Sequence, residues 1–189
     1  ADDDAAETDK KALIKELDQN SKLDHYTKIQ LSKLTAPNGK ANLSVYVYVP
    51  ENLKNFQKDV TLRNRITKEQ YELTDEGAAV SEKTAALLDL KAGDELILKK
   101  DDREYRTKIA VITENYAGHY VYMTPKVYED VFGEKPDYED IVFLVRDEYK
   151  DHTEEIGQKI MESPAVLSIS YTASTMEMVN RMLSTLGIV

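Results

Sequence analysis

Alternating apolar residues in the first third of the chain predict a β-hairpin. Two runs rich in β-forming residues, 26–34 and 41–49, lie on either side of an Asn-Gly pair at 38–39. Asn-Gly favours a tight hairpin because both central residues of a type I′ turn need a positive φ. With this pair at the turn, Leu34 would lie opposite Leu43. Both faces of the hairpin would then carry apolar residues, so both faces should be at least partly covered.

The middle of the chain predicts a strand, a helix, a tight turn and a second strand. Ala78–Val80 is small and apolar, as in a short buried strand. Ser81 stands where a helix N-cap is expected, since its hydroxyl can accept a hydrogen bond from a first-turn amide. Gly93 supplies the positive φ that a tight reversal often needs. Leu96 and Leu98 then alternate with their neighbours as in a half-buried strand.

Capping residues mark the boundaries of several helices. Thr124 is expected to cap a short helix that has Pro125 at its first position and ends at Gly133. Ser174 and Glu177 form a capping box at the start of the last helix. Two other helices are expected, one with Leu13, Ile14 and Leu17 on its apolar face and one over His152–Met161.

The remaining apolar runs predict strands and, with the helices, a fold class. These strands are expected at 95–99, 105–112, 120–123, 141–145 and 166–171. The pattern predicts an α+β fold, with a mixed or antiparallel sheet layer, helices and an inserted small β-rich subdomain. Residues 1–70 and 138–189 would form a discontinuous α+β subdomain, and residues 71–137 would form the insertion.

Composition narrows the classes of function. The chain has 189 residues, with 25 basic and 35 acidic side chains and a net charge of −10 at pH 7. Because no block of basic residues stands out, nucleic acid and anionic membrane surfaces are poor partners. The chain has no cysteine, which excludes disulfides, a thiol nucleophile and cysteine-based metal sites. No run of residues is long and apolar enough to span a bilayer.

The residue types that catalyse reactions or bind metals form no recognisable set. His25, His119 and His152 are not spaced as metal ligands are. His25 and His152 lie at expected element ends, where a surface position is usual. The sequence has neither a Gly-x-Ser-x-Gly nucleophile motif nor a Walker A phosphate loop. We therefore expect a protein that is not an enzyme and that uses no metal or cofactor.

One stretch, Glu114–Tyr122, combines several tyrosines with a histidine and an Ala-Gly pair. Tyrosine is common in binding surfaces because it offers a large ring and a polar tip at low entropic cost. Alternatively, Tyr120 and Tyr122 share one face of a strand and pack in the interior, with Gly118 allowing a turn or bulge. The packing interpretation is favoured. The candidate partner surface consists of Tyr116, His119, Tyr120 and Tyr122.

Three segments of the sequence resemble a known family. Residues 76–98 have the order glycine, small apolar residues, Ser-Glu, Ala, Leu-Leu, Leu-Lys, Gly-Asp and alternating apolar residues. With its continuation through Ile109–Pro125 and Tyr128–Gly133, this order resembles the extracytoplasmic domain of FtsX-like permeases of ABC transporters. That group includes MacB, and the large permeases of Gram-positive bacteria are the most similar. The family usually has a further strand before the first helix, which Ala1–Asp4 does not resemble.

The resemblance implies a non-catalytic extracellular domain of a permease in the cell membrane. The discontinuous subdomain would correspond to the membrane-proximal part called Porter in MacB, and the insertion to the part called Sabre. The domain would couple ATP hydrolysis by a cytoplasmic ATPase to movement outside the membrane. That movement would export or release a peptide, a lipoprotein or a similar substrate. A second permease copy and a cell-wall component are further expected partners, and a membrane helix would begin at Gly187–Val189.

The last predicted helix would be the mechanical link in such a permease. A helix that continues into a membrane segment transmits displacement without a soft hinge. Its candidate coupling residues lie on one apolar stripe: Val179, Met182, Leu183 and Leu186. An alternative function is an extracellular sensor or scaffold that binds a cell-wall hydrolase or an antimicrobial peptide.

Overall fold

The structure, a computed structural model of the chain, describes residues 2–39, 41–115 and 118–171. The α-helices in this part of the chain are α1 (Asp2–Gln19), α2 (Leu53–Asp59), α3 (Glu82–Leu88), α4 (Pro125–Phe132) and α5 (Thr153–Ile160), and a 3-10 helix spans Asp147–His152. The strands are β1 (Leu23–Asn38), β2 (Ala41–Pro50), β3 (Leu62–Arg63), β4 (Gln70–Tyr71), β5 (Ala78–Ser81), β6 (Glu95–Lys100), β7 (Arg103–Thr113), β8 (Tyr120–Tyr122) and β9 (Asp140–Val145).

Seven strands form one mixed sheet in the order β2-β8-β5-β7-β6-β1-β9. Because β1 also pairs with β2, the first six strands in this order close into a barrel, and β9 pairs with β1. The pairs β2–β8 and β5–β7 are parallel, whereas β1–β2, β5–β8 and β6–β7 are antiparallel. A separate two-stranded sheet consists of β3 and β4. The predicted α+β class with a mixed sheet is confirmed.

The barrel interior holds the larger hydrophobic core. On β2, Val45, Val47 and Val49 point inward and are fully buried, because alternate residues of a strand face the same side. Leu96 and Leu98 of β6 join the same cluster, as their alternation predicts. Helices α3 and α4 contribute Ala85, Val127 and Tyr128 to this core.

A second core lies on the opposite face of β2 and β8. Tyr48 of β2 and Tyr122 of β8 pack there with Phe56 of α2, which is 1% exposed. Leu62 of β3 and Leu73, two residues after β4, belong to the same cluster. The expectation that both faces of the first hairpin are covered is therefore confirmed.

The register of the first hairpin differs from the predicted one by two residues. Asn38 pairs with Ala41, so the chain reverses after Asn38, and Leu34 lies opposite Val45 instead of Leu43. Gly39 has a φ of 53°, whereas Asn38 stays in the strand. The turn thus begins one residue later than the Asn-Gly pair suggests. Since the side-chain period of a strand is two, this shift leaves every residue on its expected face.

Two helix boundaries follow from side-chain caps. The Thr124 hydroxyl accepts a hydrogen bond from the Val127 amide (3.1 Å), and Gly133 ends α4 with a φ of 72°, as predicted. The Asn52 side chain accepts from the Lys54 and Asn55 amides at the start of α2. This cap starts α2 directly after β2.

The predicted strand over 166–171 is wrong, since no strand is found there. The Val166 amide instead donates to the Ser163 carbonyl oxygen (3.0 Å), which closes a turn around Pro164. Leu167, on one of the two alternating faces, is 95% exposed. The alternation of apolar residues therefore does not produce a buried face in this segment.

Contacts between residues group the chain into two compact units. One consists of residues 1–24 and 145–189, of which 2–24 and 145–171 are described, and the other is His25–Leu144. The first unit contains α1 and α5 with buried Leu13, Leu17, Ile156 and Ile160, and the second contains the barrel. The predicted division at residues 70/71 and 137/138 lies elsewhere and stays a prediction. None of the described helices is long and apolar enough to cross a bilayer.

Candidate functional site

The tyrosine-rich segment is built into the barrel between two strands. β8 pairs in parallel with β2, which brings Tyr120 beside Tyr46 and Tyr122 beside Tyr48. On its other side β8 pairs with β5, where Tyr122 lies opposite Ala79. The small alanine side chain leaves room for the tyrosine rings on this face of the sheet.

The four tyrosine rings and Phe56 form a continuous aromatic column. The Tyr120 and Tyr122 rings are stacked with centroids 5.7 Å apart, and Tyr120 lies 5.6 Å from Tyr46. Tyr122 also lies 5.6 Å from both Tyr48 and Phe56. These separations are in the range that favours aromatic pairs. The column therefore ties α2, β2 and β8 together.

Exposure changes along this column. Tyr48 and Tyr122 are 7% and 6% exposed, whereas Tyr46 and Tyr120 are half-buried. Burial is the main reason that the pKa of Tyr122 and the pKa of Tyr48 are both raised well above the usual value. Burial also raises the pKa of Tyr120, with a smaller contribution from Tyr46. The inner two tyrosines serve packing, and the outer two offer ring surface to solvent.

A buried polar chain holds the start of β8 against α3. The Ser81 and Thr84 hydroxyls lie 2.6 Å apart, and both residues are fully buried. The Thr84 hydroxyl lies 3.0 Å from Nδ1 of His119, and the Tyr120 amide donates to the Ser81 hydroxyl (3.1 Å). The Tyr46 amide donates to the His119 carbonyl oxygen (2.7 Å). His119 and Tyr120 are thus fixed from both sides.

The predicted role of Ser81 is wrong in one respect. Ser81 does precede α3, but its side chain makes no capping hydrogen bond. Its hydroxyl is engaged by Thr84 and by the Tyr120 amide, which comes from 39 residues further along the chain. A hydroxyl with two close partners and no exposed surface serves to position β8 and is not placed as a nucleophile.

His119 is held in position by the Thr84 hydroxyl. Desolvation lowers the pKa of His119 first, and the nearby Lys83 ammonium lowers it further. Gly118, just before it, has a φ of 77°, and a methyl group there would lie 2.9 Å from the Tyr120 ring. Glycine at 118 therefore allows the tyrosine ring to cover the backbone turn.

The β3–β4 hairpin is anchored at Thr113 and Glu114, where the tyrosine-rich segment begins. The Arg63 amide donates to the Thr113 hydroxyl (3.0 Å), and the Glu114 amide donates to the Arg63 carbonyl oxygen (2.8 Å). The Arg63 and Lys68 side chains both pair with the Glu114 carboxylate, which is 4% exposed. At the tip, Ile66 is 77% exposed. Two strands of two residues each need such anchoring, because an isolated hairpin is marginally stable.

His25 occupies a position that differs from the expected one. Its Nε2 atom lies 2.7 Å from the Asp59 carboxylate, and the two side chains are 8% and 6% exposed. The Thr27 hydroxyl donates to the same carboxylate (3.4 Å). The expected surface position of His25 is therefore wrong, because the end of α2 covers the start of β1. His152 is exposed as expected and lies 3.2 Å from Glu155.

In the part of the chain that the structure describes, no three carboxylate or imidazole side chains lie close enough together to hold a metal ion. No protein-family model matches the sequence, and no curated protein matches it either.

Among solved structures, the chain is similar to the periplasmic region of MacB from Actinobacillus actinomycetemcomitans. The likeness has a TM-score of 0.45 and 12% identity, over 80% of this chain and 70% of that chain. The chain is also similar to the extracellular domain of the noncanonic ABC-type transporter YknZ from Gram-positive bacteria. That likeness has a TM-score of 0.46 and 13% identity, over 77% of this chain and 76% of that chain. At these identities the likeness concerns the fold alone.

The predicted site residues fall into three groups. Tyr120 lies at the outer end of the aromatic column and Tyr122 in its interior, whereas the His119 side chain contacts Thr84 of α3. Tyr116 and the coupling residues of the last predicted helix lie outside the described residues. Sequence reasoning missed Tyr46, Tyr48 and Phe56. The alternation of tyrosine and valine in β2 places both tyrosines on one face, but only the parallel pairing with β8 brings them to this site.

Proposed function

We propose that this chain is the non-catalytic extracellular domain of an FtsX-like ABC transporter permease. The observation that carries the proposal is the sequence of three segments, 76–98, Ile109–Pro125 and Tyr128–Gly133, which together resemble that family. Their order of β5, α3, β6, β7, β8 and α4 is the order that the resembling motifs call for. These elements form most of the barrel, so the resemblance lies in the part of the chain that determines the fold.

In this proposal the domain lies on the outer face of the cell membrane. A cytoplasmic ATPase would act on it through membrane helices, and a second permease copy would be present. The domain would move when the ATPase closes and would transmit that motion to a peptide, a lipoprotein or a cell-wall component. It would not bind nucleic acid.

The last predicted helix provides the test of transmission. Replacing Val179 and Leu183 by glycine in the full transporter should uncouple ATP hydrolysis from export, because glycine weakens the helix and removes two residues of its apolar stripe. ATPase activity and export would be measured together in reconstituted vesicles. We expect hydrolysis to continue while export falls.

A matched control uses the same spacing on the other face of the same predicted helix. Asn180→Gly with Ser184→Gly removes a similar amount of helix propensity but leaves the apolar stripe intact. It should retain more coupling than the first pair. Unchanged coupling in the first pair would show that this helix does not transmit the motion, whereas an equal loss in both pairs would show that coupling needs a stiff helix and not its apolar stripe.

The second candidate function is an extracellular sensor or scaffold that binds a cell-wall hydrolase or an antimicrobial peptide. The outer end of the aromatic column favours it, since Tyr46 and Tyr120 are half-buried and rigidly held. Preorganised aromatic rings bind with a small loss of conformational entropy. The exposed Ile66 on its anchored hairpin offers a further apolar contact.

Binding by the isolated domain separates the two functions. If the domain is a sensor, Tyr120→Ala should weaken its affinity for the partner at least about tenfold, as loss of a central aromatic contact does. Tyr105→Ala is the matched control, because Tyr105 is also half-buried and its ring pairs with Phe132 (4.7 Å) away from this site. Titration calorimetry with the candidate hydrolase or peptide would measure both. No measurable affinity for the wild-type domain would reject the sensor and leave transmission as the better account.

A further inference from the structure

Strand β9 and the next residue, Arg146, have a sequence that can pair with a reversed copy of itself. The segment Asp140-Ile-Val-Phe-Leu-Val-Arg146 is centred on Phe143, with two branched apolar residues on each side. Asp140 and Arg146, which carry opposite charges, lie at equal distances from the centre. An antiparallel pair of two such strands would match apolar residues with apolar residues and each acid with a base.

The position of β9 in the sheet makes such a pair possible. β9 is the last strand of the sheet, and among the described residues its strand partner is β1. Edge strands are usually protected by lysine, proline or a bulge, because their free backbone groups can pair with another chain. Neither lysine nor proline occurs between Asp140 and Arg146. Leu144 in the middle of the strand is 42% exposed.

We propose that β9 is a self-association edge that pairs antiparallel with β9 of a second copy of this chain. A two-fold axis perpendicular to the sheet requires one residue to lie opposite itself, since directly opposed residues share a face. With Phe143 on the axis, all seven residues from Asp140 to Arg146 overlap. This register places Val142 opposite Leu144 of the second copy.

The charges at the two ends favour this register over its neighbours. With Phe143 at the centre, Asp140 of each copy lies opposite Arg146 of the other, so that two acid–base pairs flank the apolar residues. A shift of the axis to Val142 or Leu144 shortens the overlap and removes both pairs. Both charged residues are exposed. The Nε atom of Arg146 donates to the Leu23 carbonyl oxygen (3.0 Å), and a guanidinium has further N–H donors for a carboxylate.

Disulfide trapping tests this register directly, because the chain has no cysteine. In Phe143→Cys the two sulfhydryl-bearing residues would be opposed, with Cα atoms about 4.5–5.5 Å apart, which a disulfide can span. Val142→Cys is the matched control, since the two copies of residue 142 would be about 8 Å apart. After mild oxidation, we expect a crosslinked dimer from Phe143→Cys and from the double variant Val142→Cys with Leu144→Cys, but not from Val142→Cys alone.

Sedimentation equilibrium of the 189-residue chain provides the second measurement. Because one strand pair buries a small interface, we expect weak dimerisation with a Kd of about 0.1 mM. Asp140→Arg should weaken dimerisation about tenfold by opposing two like charges, and the double swap Asp140→Arg with Arg146→Asp should restore it.

The crosslinking and sedimentation results can each support or overturn the β9 dimer. A dimer that is trapped at Phe143 and rescued by the charge swap supports the proposal. A 21.5 kDa monomer at all concentrations would overturn it and would mean that another segment or partner covers the edge. A dimer with equal trapping at 142 and 143 would also overturn it, because association would then involve another surface. Since the double cysteine variant retains Phe143, loss of folding in Phe143→Cys does not prevent a decision.

Discussion

The buried hydroxyl groups of Ser81 and Thr84 fix the backbone position of the outer tyrosine Tyr120. Thr84 lies between Ser81 (2.6 Å) and the His119 imidazole (3.0 Å), and Ser81 in turn accepts from the Tyr120 amide. Buried polar groups are stable only when they are paired, so each member of this chain depends on the next. Thr84 is therefore the residue through which α3 controls the position of His119.

Replacement of Thr84 by valine tests this role with almost no change in volume. The variant leaves the Ser81 hydroxyl and His119 Nδ1 without their shared partner, and should reduce the free energy of unfolding by about 1–3 kcal/mol. Thr61→Val, at an exposed threonine, is the control and should change it by less than about 0.5 kcal/mol. Urea denaturation would measure both. Equal effects would mean that the Thr84 hydroxyl contributes no net stability.

At the scale of elements, Gly77 determines how β5 enters the barrel. Its φ is 155°, and a methyl group there would overlap with the carbonyl oxygen of Lys108 on β7. The pairing of β5 with β7 shifts register just after it, between Ala78 and Ala79. A residue with a side chain at 77 would therefore push β5 away from its parallel partner.

Gly77→Ala should be strongly destabilising for this reason. Gly93→Ala is a suitable control, because Gly93 also has a positive φ (94°) but no atom within 4 Å of the added methyl group. We expect the control to lower the free energy of unfolding by about 1 kcal/mol from backbone strain alone. Gly77→Ala should lower it by a further ~2 kcal/mol or more, as overpacking does. A difference near zero would show that β5 and β7 can separate without loss of stability.

The elements that local signals determine were predicted well. The alternation in β2 and β6 and the Thr124 cap each depend on residues close in sequence, and the structure has them as expected. Errors occur where a distant partner competes. The Ser81 hydroxyl binds an amide from β8 and does not cap α3, and His25 is buried by Asp59, 34 residues further on. Residue type shows what a side chain can bind, but the partner is set by the fold.

At the scale of the whole molecule, the closure of the sheet was beyond sequence reasoning. The parallel pairs β2–β8 and β5–β7 join strands that are far apart in the chain, and neither has a turn that signals it. The same closure produces the aromatic column, since Tyr46 and Tyr120 meet only through β2–β8. The candidate surface was therefore predictable on one strand and unpredictable on the other.

The division into two compact units predicts that they lose structure separately. Each has its own buried leucines, with Leu17 (3% exposed) in α1 and Leu98 (fully buried) in the barrel. Replacing a buried leucine by alanine lowers stability by about 2–5 kcal/mol through lost burial and a cavity. If each unit opens cooperatively by itself, that loss should be confined to the unit that carries the change.

Native-state hydrogen exchange can measure this, because it follows amides of both units in one sample. Leu17→Ala should reduce protection in α1 and α5 while β7 keeps its wild-type protection, and Leu98→Ala should do the reverse. The two variants are controls for each other, since the same side chain is shortened in each. Equal loss of protection in both units from either change would show a single cooperative structure. In that case both units would open in one step, whereas confined effects would show that the barrel, with its aromatic column, keeps its structure when the other unit opens.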